Sequence, residues 1–171
     1  EINAAGGANG YKLVIDVRDT QGDAVNSTTM ATEFAEDEEY KIILGEFSST
    51  CCLANTDIIT RYGIVQLSPT CSSPLFAAGS PYNFGINGLT SVEGQFAAKY
   101  IVGEHRGAKN CVVIRANNDW SEATLAPFAE QCEREGIEIL SDEKYQVDET
   151  DFSSVLTKIK ALDPDVLVIF D

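Results

Sequence analysis

Short apolar runs rich in β-branched residues alternate along the chain with longer stretches whose apolar positions recur every three or four residues. That alternation predicts βα units wound around parallel sheets. The strand-like runs are residues 11–17, 41–44, 63–67, 82–86, 110–114, 137–140 and 165–170. Most are continuously apolar, as expected of strands covered by helices on both faces.

Two helical stretches carry clear stripes. Phe152, Val155, Leu156, Ile159 and Leu162 form one, and Leu125, Phe128, Ala129 and Cys132 form another at i, i+3, i+4 and i+7. Thr90 with Glu93, and Asp119 with Glu122, have the spacing of a capping box, which predicts helix starts there. Gly107 and Gly136 stand where helices end in a left-handed residue, and Pro164 follows the last stripe. Pro127 removes a backbone donor inside the second stripe and predicts a local kink or a late helix start.

Residues 2–7 read as the last turn and C-cap of a helix, and Asp171 directly follows a strand. The expectation is therefore an α/β fold with doubly wound parallel sheets, present as partial units with open strand edges. The internal boundary is expected at residues 87–90, between the fourth strand and the Thr90 helix.

Composition narrows the partners. Twelve Lys and Arg against 27 Asp and Glu leave a net charge of −15, which argues against nucleic acid, since phosphates are bound by neutralising them. No apolar run approaches the roughly 20 residues that span a bilayer. Cys51, Cys52, Cys71, Cys111 and Cys132 are irregularly spaced in apolar surroundings, which predicts buried thiols rather than a disulfide framework or zinc site. A bridge between the Cys51-Cys52 loop and the Cys71 loop stays open. There is neither a metal-ligand cluster nor a phosphate-binding loop, and no cofactor is expected. His105, the sole histidine, is expected as a partner for a helix C-terminus, and residues 36–39 as a solvated acidic face.

In open α/β sheets, ligands lie beyond the carboxyl ends of the strands, where helix N-termini offer free N–H groups. Ser48, Ser49 and Thr50 follow the second run and precede a helix. They either cap that helix or grip an anionic group, with the Ser49 hydroxyl and the Thr50 N–H as donors. The turn from Ser68 to Ser72 ends the next run. It is either an ordinary Ser/Pro turn or offers a carbonyl and a hydroxyl to an ammonium group. Trp120 either packs at a helix start or covers a ligand by apolar and cation–π contact.

Residues 2–13 (INAAGGANGYKL), residues 45–50 (GEFSST) followed after one helix by 63–74 (GIVQLSPTCSSP), and residues 150–160 (TDFSSVLTKIK) running into 163–168 (DPDVLV) span nearly the whole chain. In this order and spacing they resemble type I periplasmic binding proteins, especially the leucine/isoleucine/valine-binding branch of ABC-importer receptors. The resemblance implies a two-lobed fold, with residues 1–88 a partial first lobe lacking its opening strand and residues 89–171 a partial second lobe. It implies a ligand held between the lobes, which close by a hinge motion. Ser49 and Thr50 would hold a carboxylate, Thr70 and Ser72 an ammonium, and Trp120 would supply the second lobe's aromatic group. Ser72 stands where valine-type binders commonly carry threonine, which keeps the hydroxyl. A disulfide of one family member needs cysteines where Gly22 and Ser48 stand, and cannot form. A carboxylate for the ligand ammonium is expected from outside these residues.

The function implied is a non-enzymatic, extracytoplasmic receptor, free or lipid-anchored, that delivers an amino acid or related small zwitterion to an ABC transporter permease. The 171-residue chain alone is expected to self-associate through its open edges. Two other readings stay open: the ligand-sensing domain of a signalling receptor of the same fold, and an α/β enzyme using Cys51, Cys52 or Cys71 as nucleophile. The second lacks a nearby base in the sequence.

Overall fold

Six of the seven strand-like runs pair, forming two separate three-stranded parallel sheets. The computed structural model, which describes residues 1–171, places β2 (Val65–Ser68) between β1 (Ile42–Leu44) and β3 (Asn83–Gly85). In the second sheet β4 (Asn110–Ala116) lies between β5 (Glu138–Tyr145) and β6 (Val166–Phe170). Leu44 stands opposite Leu67 and Leu67 opposite Phe84, so the strands of the first sheet finish at one level. Arg115 aligns with Lys144 on one side and Phe170 on the other.

The helices are α1 (Ala24–Glu36), α2 (Ser49–Ala54), α3 (Thr56–Tyr62), α4 (Pro74–Gly79), α5 (Thr90–Phe96), α6 (Asp119–Glu135) and α7 (Ser153–Leu162). A wider π-type coil carries α5 on to His105, which lies exposed in its last turn. Gly63 and Gly136 end α3 and α6 at φ of 66° and 68°, where a side chain would be strained. Gly107 (φ 63°) follows the π-type coil in the same conformation.

Three expectations are corrected. Residues 11–17 form no strand; a lone antiparallel bridge joins Tyr11 to Ala8. An extended segment becomes a strand only with a partner ladder, and Val14–Val17 make no backbone hydrogen bond. They line a cavity of about 320 Å³ whose other wall includes Phe34 and Ile42–Leu44. Neither capping box forms. The N-cap of α6 is Asn118, whose side chain accepts the Ser121 N–H at 2.9 Å, and α5 is preceded by Leu89 without a side-chain cap. The start of α6 is not late; Pro127 sits well inside an unbroken helix.

The main core belongs to the second sheet. Val113, Phe128, Cys132, Val102 and Ala98 are nearly inaccessible and pack together with Phe170. Phe128 meets Phe170 edge-on at 5.2 Å between ring centroids, a favoured aromatic geometry. The corresponding cluster of the first sheet holds Cys52, Cys71 and Phe76. Helices α5 and α6 approach closely because position 94 is glycine: a Cβ there would lie 2.5 Å from the Thr124 carbonyl oxygen and 2.9 Å from the Phe128 nitrogen.

Arg115 on β4 is 4% exposed. Its guanidinium takes Asp142 of β5 in a two-point grip, Nε to Oδ1 at 2.7 Å and Nη2 to Oδ2 at 2.8 Å. It also meets Glu122 of α6 at 3.0 Å. Buried charge is tolerated when paired and hydrogen-bonded in this way, and here the pairing ties strand to strand and strand to helix. No helix is long and apolar enough to cross a membrane.

Candidate functional site

The carboxyl ends of strands from both sheets meet around a cavity of about 510 Å³. The loop after β1 brings Phe47, Ser48 and Ser49, and the loop after β2 brings Thr70 and Ser72. From the other side come Glu93 on α5, Trp120 at the start of α6, and Phe170 with Asp171 at the end of β6. Parallel strands direct their connecting loops to this end, where ligands of α/β sheets bind.

Four of the five predicted site residues line this cavity: Ser49, Thr70, Ser72 and Trp120. Thr50 does not. Its hydroxyl instead accepts the Asp119 N–H at 3.3 Å, a link between the loop after β1 and the start of α6. The Thr50 N–H, in the first turn of α2, has no partner, as expected of a leading helical N–H. Ser49 is 4% exposed, and its Oγ accepts a weak hydrogen bond from the Cys71 thiol at 3.5 Å.

The Thr70 hydroxyl donates to the Phe47 carbonyl at 2.9 Å, which braces one loop against the other. The Thr70 carbonyl already accepts the Asn87 side-chain amide at 3.1 Å, so one lone pair remains for another donor. The Ser72 carbonyl accepts the Thr90 N–H at 2.9 Å, giving α5 the partner its missing side-chain cap does not.

The residue that sequence reasoning missed is Glu93. Its spacing from Thr90 reads as a capping box, yet its side chain reaches into the cavity. One oxygen, Oε2, accepts both the Ser72 hydroxyl and the Trp120 indole N–H, each at 3.2 Å. Thr90, whose hydroxyl would complete the box, is fully buried with that hydroxyl unpartnered. No spacing rule reveals such a contact, because Ser72, Glu93 and Trp120 come from three different elements. Trp120 is further fixed edge-on to Phe170, 6.1 Å between centroids.

Beneath the loops lie three thiols, with Cys51 and Cys52 inaccessible and Cys71 3% exposed; all five cysteines are free. Burial, followed by the nearby Glu46 carboxylate, pushes the Cys51 thiol up. The Cys52 thiol is also raised, by its hydrogen bond with Cys71 and then by burial. The Cys71 thiol moves the other way, drawn down to about 6 by the hydrogen bond from Cys52, and none of the three has the cationic surroundings that make a cysteine nucleophilic. No group of histidine, cysteine and carboxylate side chains is arranged to hold a metal ion.

The sequence model of the family described as "Periplasmic binding protein" matches residues 1–171. The chain is 27% identical to Leu/Ile/Val-binding protein homolog 1 of Brucella abortus over 161 residues, 94% of this chain and 43% of that protein. It is 25% identical to the leucine-, isoleucine-, valine-, threonine-, and alanine-binding protein of Pseudomonas aeruginosa, again over 94% of this chain and 43% of the relative. The chain thus spans less than half the length of the curated relatives it matches. Among solved structures it resembles the branched-chain amino acid transporter substrate binding protein LivJ from Streptococcus pneumoniae in complex with isoleucine. There the TM-score is 0.86 at 25% identity, covering 98% of this chain and 47% of that one. A solute binding protein of R. palustris in complex with benzoate shares the fold with a TM-score of 0.89 at 19% identity, covering 99% of this chain and 47% of the other.

Proposed function

Because the chain belongs to the periplasmic binding protein family and takes its type I fold, we propose that it forms part of an extracytoplasmic receptor that binds an amino acid or related small zwitterion for an ABC importer. The observation that carries this reading is the cavity itself, walled by loops from the carboxyl ends of two separate parallel sheets. Residues 1–88 are read as part of one lobe and residues 89–171 as part of the other. The ligand lies between them, and the permease of the importer receives it.

The two loops of the first sheet differ in a way that fits a zwitterion. The Ser49 hydroxyl and the free Thr50 N–H form the end that takes the α-carboxylate. The Thr70 carbonyl and the Ser72 hydroxyl form the end that takes the ammonium, with Trp120 over the apolar stem. Binding and release of this kind use no cofactor and break no bond, and the burial of all three thiols away from the cavity lining agrees with a non-enzymatic role. The family's description as periplasmic binding proteins supports a place outside the cytoplasm, and we place this protein there, free or lipid-anchored.

The test compares Ser49→Ala with Ser73→Ala in the protein as its gene encodes it. Ser73 is equally buried, at 2% exposed, but lies outside the cavity lining. A hydrogen bond to a charged group contributes about 1.5–3 kcal/mol, so Ser49→Ala is expected to weaken amino-acid binding about tenfold or more by calorimetry, and Ser73→Ala far less. Equal affinities of the two variants would remove Ser49 from the site. The 171-residue chain taken alone is expected to associate through the open edge of β1, and a monodisperse monomer in sedimentation velocity would contradict that.

A further inference from the structure

The geometry points to Glu93 as the residue that makes this cavity select ligands bearing an ammonium group, an inference that rests on the receptor reading above. Three observations converge on it. First, Glu93 is a carboxylate on the cavity wall with no ion-pair partner among the chain's salt bridges. The only other charged lining residue is Asp171, also an acid, and no Lys, Arg or His lines the cavity. A carboxylate left without a counter-ion in a partly closed space favours a cation in that space.

Second, Glu93 decides what its neighbours can offer. Oε2 takes the one proton of the Ser72 hydroxyl, at 3.2 Å. With that proton committed, Ser72 presents only lone pairs to the cavity. The same oxygen takes the indole N–H of Trp120, at 3.2 Å, and an indole has no other donor. Glu93 thus strips this wall of free donors, leaving negative charge and acceptors.

Third, the loop after β1 offers the complement. Ser49 brings a hydroxyl to the lining, and the N–H of the next residue, Thr50, is unpaired. A ligand with a carboxylate at one end and an ammonium at the other matches both places. An acid that lacks the ammonium matches only the first and is repelled by Glu93. Glu93 is therefore a positioning residue through Ser72 and a direct electrostatic determinant of specificity through its own charge.

The variant that isolates the charge is Glu93→Gln. A glutamine carbonyl can still accept from Ser72 and Trp120, so the local hydrogen bonds persist while the charge is lost. Using the protein as its gene encodes it, calorimetry with each of the twenty common amino acids first identifies the tightest. The same measurement then takes that amino acid and its desamino analogue, in which hydrogen replaces the ammonium, to wild type and variant. Glu93→Gln is expected to bind the amino acid at least tenfold more weakly and the desamino analogue no worse than wild type does. A loss below tenfold, or an equal loss for the two ligands, overturns the assignment. Glu93→Asp keeps the charge on a shorter arm and is expected to retain more affinity for the amino acid than Glu93→Gln. If Glu93→Asp is the weaker of the two, the side chain merely supports Trp120, and the assignment is overturned. Wild-type protein that binds none of the amino acids would overturn the receptor reading itself, and that result precedes any variant.

Discussion

The two sheets have the same number of strands and the same parallel pairing, but they are buried very differently. In the second, the central strand β4 is inaccessible from Cys111 to Ala116, and α6 and the π-type coil pack over it. In the first, β1 is an open edge with Ile42 45% and Leu44 64% exposed. Across the adjoining cavity, Val14 and Val17 are more than 80% exposed. Nine residues make the larger core cluster and three the smaller, so the stability of these 171 residues is concentrated in the second sheet. The cavity nevertheless draws on both. Its Ser49, Thr70 and Ser72 wall stands on the weaker sheet, while Trp120 and Glu93 stand on the stronger.

The sharpest way to break that comparison is to remove a side chain at the centre of the stronger core. Phe128→Ala takes out a fully buried ring and its edge-on contact with Phe170, and is expected to cost about 3–5 kcal/mol. Trp120, the only tryptophan, reports on this region by fluorescence, and a denaturant midpoint unchanged in Phe128→Ala would show that the second sheet does not dominate. Next comes Gly94→Ala. Its methyl would stand 2.5 Å from a backbone oxygen, so α5 and α6 must move apart, at about 1–3 kcal/mol. An unaltered melting temperature would mean that the helices are not pressed together there.

A smaller effect probes the second sheet by pH. Hydrogen bonds from Lys144 and then Arg115 hold the Glu122 carboxyl below its ordinary 4.5. The Lys158 and then the Ser141 hydrogen bonds do the same for Glu143. A carboxyl depressed by folding adds stability that is complete above its unfolded value and is lost as pH falls through the folded one. The Trp120-monitored unfolding should therefore lose stability as pH falls from 4.5 downward. Glu122 is nearly half exposed, which limits its share to about 0.5–1 kcal/mol. Glu122→Gln should lose that amount at neutral pH and flatten the acid slope, and an unchanged slope would contradict the assignment. The smallest effect is expected in the weaker sheet, where Ile15 is 71% exposed. Ile15→Ser should change stability by less than about 0.5 kcal/mol, and a larger loss would show that residues 11–17 are packed after all.

The same contrast explains how much was legible in the sequence. β4 and β6 are continuous apolar runs, and their identity as strands follows from that alone. β5 runs on through Ser141, Asp142, Glu143 and Lys144 to Tyr145, past the apolar run that announced it. Its polar half is a strand because Asp142 binds Arg115, a partner 27 residues away that local pattern does not contain. Residues 11–17 failed in the opposite sense, being apolar and β-branched but without a ladder to join. At the cavity, Ser49, Thr70, Ser72 and Trp120 were reached by placing loops at strand ends and by resemblance. Glu93 was hidden because spacing offered a local use for it and only the folded chain shows a distant one.

Ser72 belongs to the first wall of the cavity, yet its carbonyl is bonded to the leading N–H of α5 and its hydroxyl to Glu93 one turn further on. In any rotation of one sheet against the other about the link at residues 87–90, an atom travels in proportion to its distance from the axis. Ser72, one hydrogen bond from that link, stands beside the fulcrum, while the rims of the cavity lie out along the lever. On the proposed reading, a ligand whose ammonium rests on Ser72 sits where such a swing is least.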